Sequence, residues 1–236
     1  MEWFNTVSKP ACKQLRICMR DSANSRVCFP TLGEASIPAC EWKAVIDVCK
    51  VIADHLEVTS QLPQLRPQIE EIAARMTSVV LNGGKVFWMG NGGSAADSQH
   101  LAAELVGRFA RERRALASIA LTTDSSILTA VANDCSFDEV FGRQLEAQCG
   151  AKDAVVGIST SGNSENVVSG VRTAKALGAF TVALTGNGGG RLAKEADTAL
   201  IVPSSVTARI QEAHILIGHI VCDWIETAVI LSGKDS

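Results

Sequence analysis

The chain has 236 residues, 47% of them apolar and 20% charged, with a net charge of −3. That length suits one domain with a real buried core, and the composition is that of an ordinary globular protein. The charge gives no reason to expect a nucleic-acid or anionic-membrane partner, and eight cysteines without a Cys-x-x-Cys pair argue against a zinc ribbon or a disulfide scaffold.

Residues 1–43 carry Pro10, Pro30 and Pro38 and hold no sustained period, so they are expected to form an irregular or disordered extension ahead of a domain over 44–236. The start lacks the apolar run of a signal peptide. No stretch approaches the roughly 18 apolar residues that a membrane helix needs. The cytoplasm is the expected compartment.

From about residue 42 a helical period sets in. Val45, Val48, Ile52 and Leu56 share one face, as do Ile69, Ile72, Met76 and Val80. Pro63 and Pro67 separate the two segments, and Asn82-Gly83-Gly84 stops the second. The pattern then becomes short apolar runs alternating with helices. Strands are predicted at Val86–Met89, Ser118–Leu121, Ala154–Ile158, Thr181–Leu184 and Ala199–Val202. Helices are predicted at about 94–106, 125–131 with 138–148, 165–177, 190–195 and 207–231. Such alternation implies a parallel sheet covered on both faces, with its ligand outside the carboxyl ends of the strands. The strand order is not readable from the pattern.

Two strand-to-helix loops stand out. Gly90-Asn91-Gly92-Gly93-Ser94 follows the first strand. Ser159-Thr160-Ser161-Gly162-Asn163-Ser164 follows the third, with four hydroxyls in six residues. Glycine admits close backbone approach, and the unpaired N–H groups of a helix start favour an anion. Neither loop is a P-loop or a full dinucleotide fingerprint, so a sugar phosphate fits better than a nucleotide. A single serine capping the helix is the plainer alternative. Thr185–Gly190 could be a second anion loop or only a tight turn, and Arg108, Arg111, Arg113 and Arg114 read as a solvated face or a local anion contact.

His100 and Glu104 lie four residues apart on one side of their helix. Gln211 and His219 lie eight apart on the last helix, about 80° apart in projection. The surroundings of the second pair are apolar, so these polar groups need partners. The first pair alone reads as a surface contact, and His214 as a satisfied core residue.

The run Asn91-Gly92-Gly93-Ser94-Ala95-Ala96-Asp97-Ser98-Gln99-His100-Leu101-Ala102-Ala103-Glu104 resembles the signature of the phosphoheptose isomerase family of SIS-domain proteins. Asn133-Asp134, the Ser159–Ser164 loop and Ala208-Arg209-Ile210-Gln211-Glu212-Ala213-His214 are similar to its later motifs, in order, over about residues 44–230. The resemblance implies an SIS-type three-layer α/β/α sandwich with a five-stranded parallel sheet, an N-terminal helical hairpin and a long C-terminal helix. It implies conversion of D-sedoheptulose 7-phosphate to D-glycero-D-manno-heptose 7-phosphate through an enediol. That reaction is an early step toward nucleotide-activated heptose for lipopolysaccharide core, capsule or glycoprotein. It further implies a homotetramer with sites at subunit boundaries, and one zinc per subunit on His100, Glu104, Gln211 and His219. A ketose–aldose isomerisation needs a base and an acid on either side of the sugar, and Glu104 is the candidate base and His219 the candidate acid. The substrate contacts that the resemblance implies are Asn91, Gly92, Gly93, Ser94, Asn133, Asp134, Ser159, Thr160, Ser161, Ser164 and Gln211. Three features depart from the pattern: residues 1–43, Asn187 in place of Asp, and Cys135-Ser136 in place of an aromatic-Gly pair. The rival from another class is an SIS binding module that associates with the initiator DnaA, which lacks the matching Glu and His. Both are present here.

Overall fold

The computed structural model describes residues 17–20, 26–29 and 46–233. The chain divides into two units, Met1–Val48 and Cys49–Ser236. In the first, β1 (Ile17–Arg20) pairs antiparallel with β2 (Arg26–Phe29). These eight residues form a regular ladder where the sequence suggested an irregular extension; the rest of that stretch lies outside the described residues.

In the second unit, α1 (Val48–Gln61) and α2 (Arg66–Leu81) are joined by a short 3-10 turn over Leu62–Leu65. This is the expected hairpin. Pro67 lies in the first turn of α2, where its missing N–H costs nothing, and Gly83 leaves the helix at φ 76°. There follow β3 (Val86–Gly90), α3 (Gly93–Val106), β4 (Ser118–Ala120) and α4 (Ser125–Asp134). A 3-10 turn at Phe137–Glu139 leads to α5 (Gly142–Gln148), β5 (Ala154–Ser159), α6 (Glu165–Ala176) and β6 (Phe180–Thr185). Then come α7 (Leu192–Glu195), β7 (Thr198–Ile201) and α8 (Thr207–Leu231).

The five strands β3–β7 form one parallel sheet in the order β4-β3-β5-β6-β7. Period-two alternation divides the core between the two faces. Trp88, Ala154, Val156 and Ile158 pack with Met76, Leu101, Leu105, Ile210, Ile217 and Val221, from α2, α3 and α8. Phe87, Met89 and Val155 pack with Phe141, Leu145, Val167, Val171 and Leu192 on the opposite side, from α5, α6, α7 and the segment before α5. Every residue of β3 and β5 is buried, hence their unbroken apolar runs.

The strand order also places the ligand crevice. From β3 the chain crosses by α3 over one face to β4, then returns by α4 and α5 over the other face to β5, on the opposite side of β3. β3 and β5 are therefore neighbours whose outgoing loops diverge to opposite faces, the topological switch point of a doubly wound sheet. The two loops singled out by sequence are the ones that leave it.

α8 has a mean hydropathy of 1.5 over an 18-residue window, enough by length and composition to cross a membrane. This corrects the expectation that no segment reaches that level. The buried face of α8 packs on α2 and α3, and Gln211, Glu212, His214, His219, Asp223 and Glu226 punctuate the helix, as in a core helix.

Candidate active site

The glycine loop and the serine loop are tied to each other. Asn91 and Asn166 exchange a pair of amide hydrogen bonds, Nδ2 of each to Oδ1 of the other, at 2.8 and 2.9 Å. Asn166 is buried and its Oδ1 also accepts the N–H of Val167, at 3.0 Å. Both helices that follow begin without a side-chain cap. Gly92 precedes α3 at φ 56°, and Ser164 precedes α6 with its hydroxyl turned away from the helix N–H groups. That hydroxyl lies 3.0 Å from Ser159 Oγ, which is 3.5 Å from Ser161 Oγ. The plain capping alternative therefore fails at this loop. Three hydroxyls converge beside open helix donors, the chemistry of an anion seat.

The segment Thr185–Gly190 has a structural part. A Cβ on Gly162 would lie 2.0 Å from Gly189 O, so the two loops pack backbone to backbone. Leu192 N–H donates to Gly162 O at 2.9 Å, and Arg191 N–H to Asn163 Oδ1 at 3.2 Å. This segment buttresses the serine loop, consistent with the tight-turn alternative.

α3 and α8 meet over the same edge. His100 Nε2 stands 2.9 Å from His219 Nε2 and 3.2 Å from Glu104 Oε1. The ligand atoms of His100, Glu104 and His219 all lie within 4.8 Å of one another. The i,i+4 pair that alone reads as a surface contact is thus completed by an imidazole 119 residues beyond His100 in the chain. Gln211 lies against the glycine loop, where a Cβ on Gly93 would fall 2.0 Å from its Nε2. His100 is half exposed and Glu104 largely covered, with side-chain exposures of 49% and 20%. The trio is thus open on one side in the single chain.

Two imidazoles and a carboxylate are donors that suit zinc, whose bonds to nitrogen are about 2.0–2.1 Å. A tetrahedral ion would hold two such nitrogens about 3.4 Å apart, so the His100–His219 pair needs only a small opening to admit one. The residues fit a metal. Asn133 and Asp134, by contrast, sit exposed at the end of α4, where Asn133 Nδ2 donates to Asp134 Oδ1 at 2.8 Å. Among the described residues they are not brought into contact with the trio.

Sequence reasoning missed Asp97. Burial raises its pKa, against the neighbouring Gln211 amide and the His100 and His219 rings, which pull it down; the net shift is upward. Its Oδ2 is buried with no hydrogen-bond partner among the described residues. The signal was available, since Asp97 lies one turn before His100. His214 is buried as expected, but only half satisfied: Nε2 faces Thr185 O at 3.1 Å while Nδ1 has no partner among the described residues. Burial pushes its pKa down to about 4.

The SIS domain family model matches residues 51–186. A phosphoheptose isomerase of Aquifex aeolicus is 51% identical over 183 residues, covering 77% of this chain and 96% of that protein. A solved phosphoheptose isomerase from Neisseria gonorrhoeae is 43% identical with a TM-score of 0.73, over 76% of this chain and 97% of that one. A second, from Francisella tularensis, is 38% identical with a TM-score of 0.74, over 76% and 96%.

Proposed function

Because the chain belongs to the phosphoheptose isomerase family of SIS-domain proteins, we propose that it converts D-sedoheptulose 7-phosphate to D-glycero-D-manno-heptose 7-phosphate. It is a ketose–aldose isomerase of a phosphorylated sugar. The observation that carries the assignment of its residues is the convergence of Glu104, His100 and His219 at the switch-point edge that also bears the serine loop.

The phosphate seats on Ser159, Thr160, Ser161 and Ser164 and on the N-terminus of α6, where hydroxyls and backbone N–H groups supply donors. Asn91, Gly92, Gly93 and Ser94 leave room for the sugar chain along the start of α3, and Asn133 and Asp134 complete its contacts. Glu104 takes the proton from C1 of the ketose, the C1–C2 bond gains double-bond character, and the carbonyl oxygen is protonated to the enediol. Return of a proton to C2 while O1 loses one gives the aldose. His219 serves the sugar oxygens as acid, and Gln211 orients them. Zinc, one per subunit, would be held by His100, Glu104, Gln211 and His219 and would polarise those oxygens when bound; Glu104 and His219 carry protons only while they are not ligating it.

The enzyme is a homotetramer with its sites closed at subunit boundaries. Exposed apolar side chains support this: Ile52 and Leu56 on α1, and Leu216, Ile220 and Trp224 on α8, repeat at helical spacing. The half-open site agrees with closure by a neighbour. The product enters nucleotide-activated heptose synthesis for lipopolysaccharide or a related glycan, in the cytoplasm.

The test is turnover of sedoheptulose 7-phosphate with identification of the product, alongside the variant Glu104→Gln. Loss of about 10²–10⁴-fold in turnover is expected for a general base, with the oligomer unchanged. Full activity of the variant removes Glu104 from the reaction.

A further inference from the structure

The loop between α3 and β4 is built around a buried carboxylate that the isomerase reading leaves unused. Glu226 lies on α8, seven residues and so two turns beyond His219, on the same face. Its side chain is fully buried. Its Oε2 accepts the N–H of Phe109 at 2.8 Å, and its Oε1 accepts those of Ala110 and Arg111 at 2.9 and 2.8 Å. Burial works to raise its pKa, but the three N–H groups and Arg113 outweigh that and the net shift is downward. The carboxylate is held ionised.

Arg113 is its counterpart, also with a fully buried side chain, its Nε 3.3 Å from Glu226 Oε2. The approach is an ion pair without a hydrogen bond from Nε, and the two Nη groups donate to backbone. Nη2 donates to Glu104 O at 2.7 Å, and Nη1 to Gly107 O and Arg114 O at 3.1 and 2.9 Å. The loop so fixed carries Phe109, whose ring centroid lies 5.5 Å from that of His219 with the planes tilted 43°. His219 in turn lies 5.1 Å from the His100 ring. Phe109 thus backs the imidazole on one side and His100 contacts it as well.

From this juxtaposition we infer that Glu226 is a positioning residue of the active site. Through three backbone N–H groups it seats Phe109 against His219, and through Arg113 it fixes the helix turn that bears Glu104. It touches neither substrate nor reacting atoms. The loop needs an anion at this point because three successive N–H groups turn inward together and would otherwise be buried unpaired. Glutamine cannot replace it fully, since its amide would present a donor to at least one of those donors.

The inference rests on the isomerase reading for its kinetic arm and on geometry alone for its spectroscopic arm. The chain has four histidines, so the ring-proton NMR lines of the intact protein can be assigned by substitution. Glu226→Gln and Phe109→Leu are both made, the second because it alters the ring contact without a buried charge. In each, the His219 lines are expected to shift while those of His55 and His214 stay in place. The kcat for sedoheptulose 7-phosphate is expected to fall about tenfold or more, with KM within about twofold, as for an imidazole held off its productive position. Phe109→Tyr, which keeps a ring, is expected to recover most of the turnover lost in Phe109→Leu. Unmoved His219 lines in both variants overturn the inference, as does a moved line with kcat unchanged. A wild-type protein that fails to turn over the heptulose phosphate while the lines move as expected overturns the isomerase reading and leaves the positioning contact standing.

Discussion

Gly93→Ala separates stability from activity at a single atom. Gly93 begins α3, with φ outside the positive range, so its backbone accepts alanine. The new Cβ would lie 2.0 Å from Gln211 Nε2 and 2.6 Å from its Cδ and Oε1. Comfortable non-bonded contact is about 3.5 Å, so the amide must retreat by about 1.5 Å. The end of a flexible side chain can do that without disturbing the fold, and alanine in place of glycine in a helix contributes up to about 1 kcal/mol. The melting temperature is therefore expected to hold or rise. On the contact proposed for Gln211, however, the amide leaves the sugar, and misplacement by about 1 Å costs on the order of a hundredfold in rate. Steady-state kinetics on sedoheptulose 7-phosphate with parallel calorimetry gives both readouts. Gln211→Ala should lose a similar factor, and the double variant little more, because one displaced group accounts for both losses. Wild-type kcat/KM in Gly93→Ala, or fully additive losses in the double variant, would refute the steric argument.

Three further outcomes follow from the same geometry. His214, with its pKa pushed down from 6.5 to about 4, resists protonation when folded. Stability is unaffected above pH 6.5 and falls as the pH drops toward 4, by roughly 3 kcal/mol at about 1.4 kcal/mol per pH unit. Melting curves against pH should show this slope, and His214→Gln should flatten it. Asn166→Ala leaves the Asn91 amide and the Val167 N–H without their partner, which costs about 1–3 kcal/mol for a buried group. Denaturant titration would measure that, and activity should fall with it because the two loops lose their tie. Elemental analysis of the purified protein is expected to find about one zinc per chain, and His100→Ala to lose it while the fold persists. Full occupancy in that variant would move the ion elsewhere.

The strands β3, β5 and β6 were legible because their runs are buried on both faces. Val86–Met89 and Ala154–Ile158 read as unbroken apolar segments for the same reason that Trp88 and Phe87 serve opposite cores. Prolines 63 and 67 and Asn82-Gly83-Gly84 marked the helix limits through backbone constraints that act locally. The β1–β2 hairpin was not legible, since eight residues without alternation give no strand signal. Asp97, Asn166 and Glu226 were missed because a polar residue on a helix or loop looks solvated until its burial is known; of the two readings of Arg113, a solvated face or a local anion contact, its burial against Glu226 favours the second. Nothing in the spacing of Glu226 from Phe109 suggests that one accepts the other's N–H across 117 residues.

The amino-acid order alone indicated the elements of the second unit, the glycine and serine loops and the candidate reacting side chains, because these depend on short-range periodicity, on glycine and on motif. Tertiary structure alone decided that β3 and β5 are neighbours, and so that the glycine and serine loops share one crevice. It alone decided that His219 reaches His100 and Glu104. Pairing between strands and packing between helices are long-range choices, fixed by which buried faces fit together, and they leave no periodic trace in the chain.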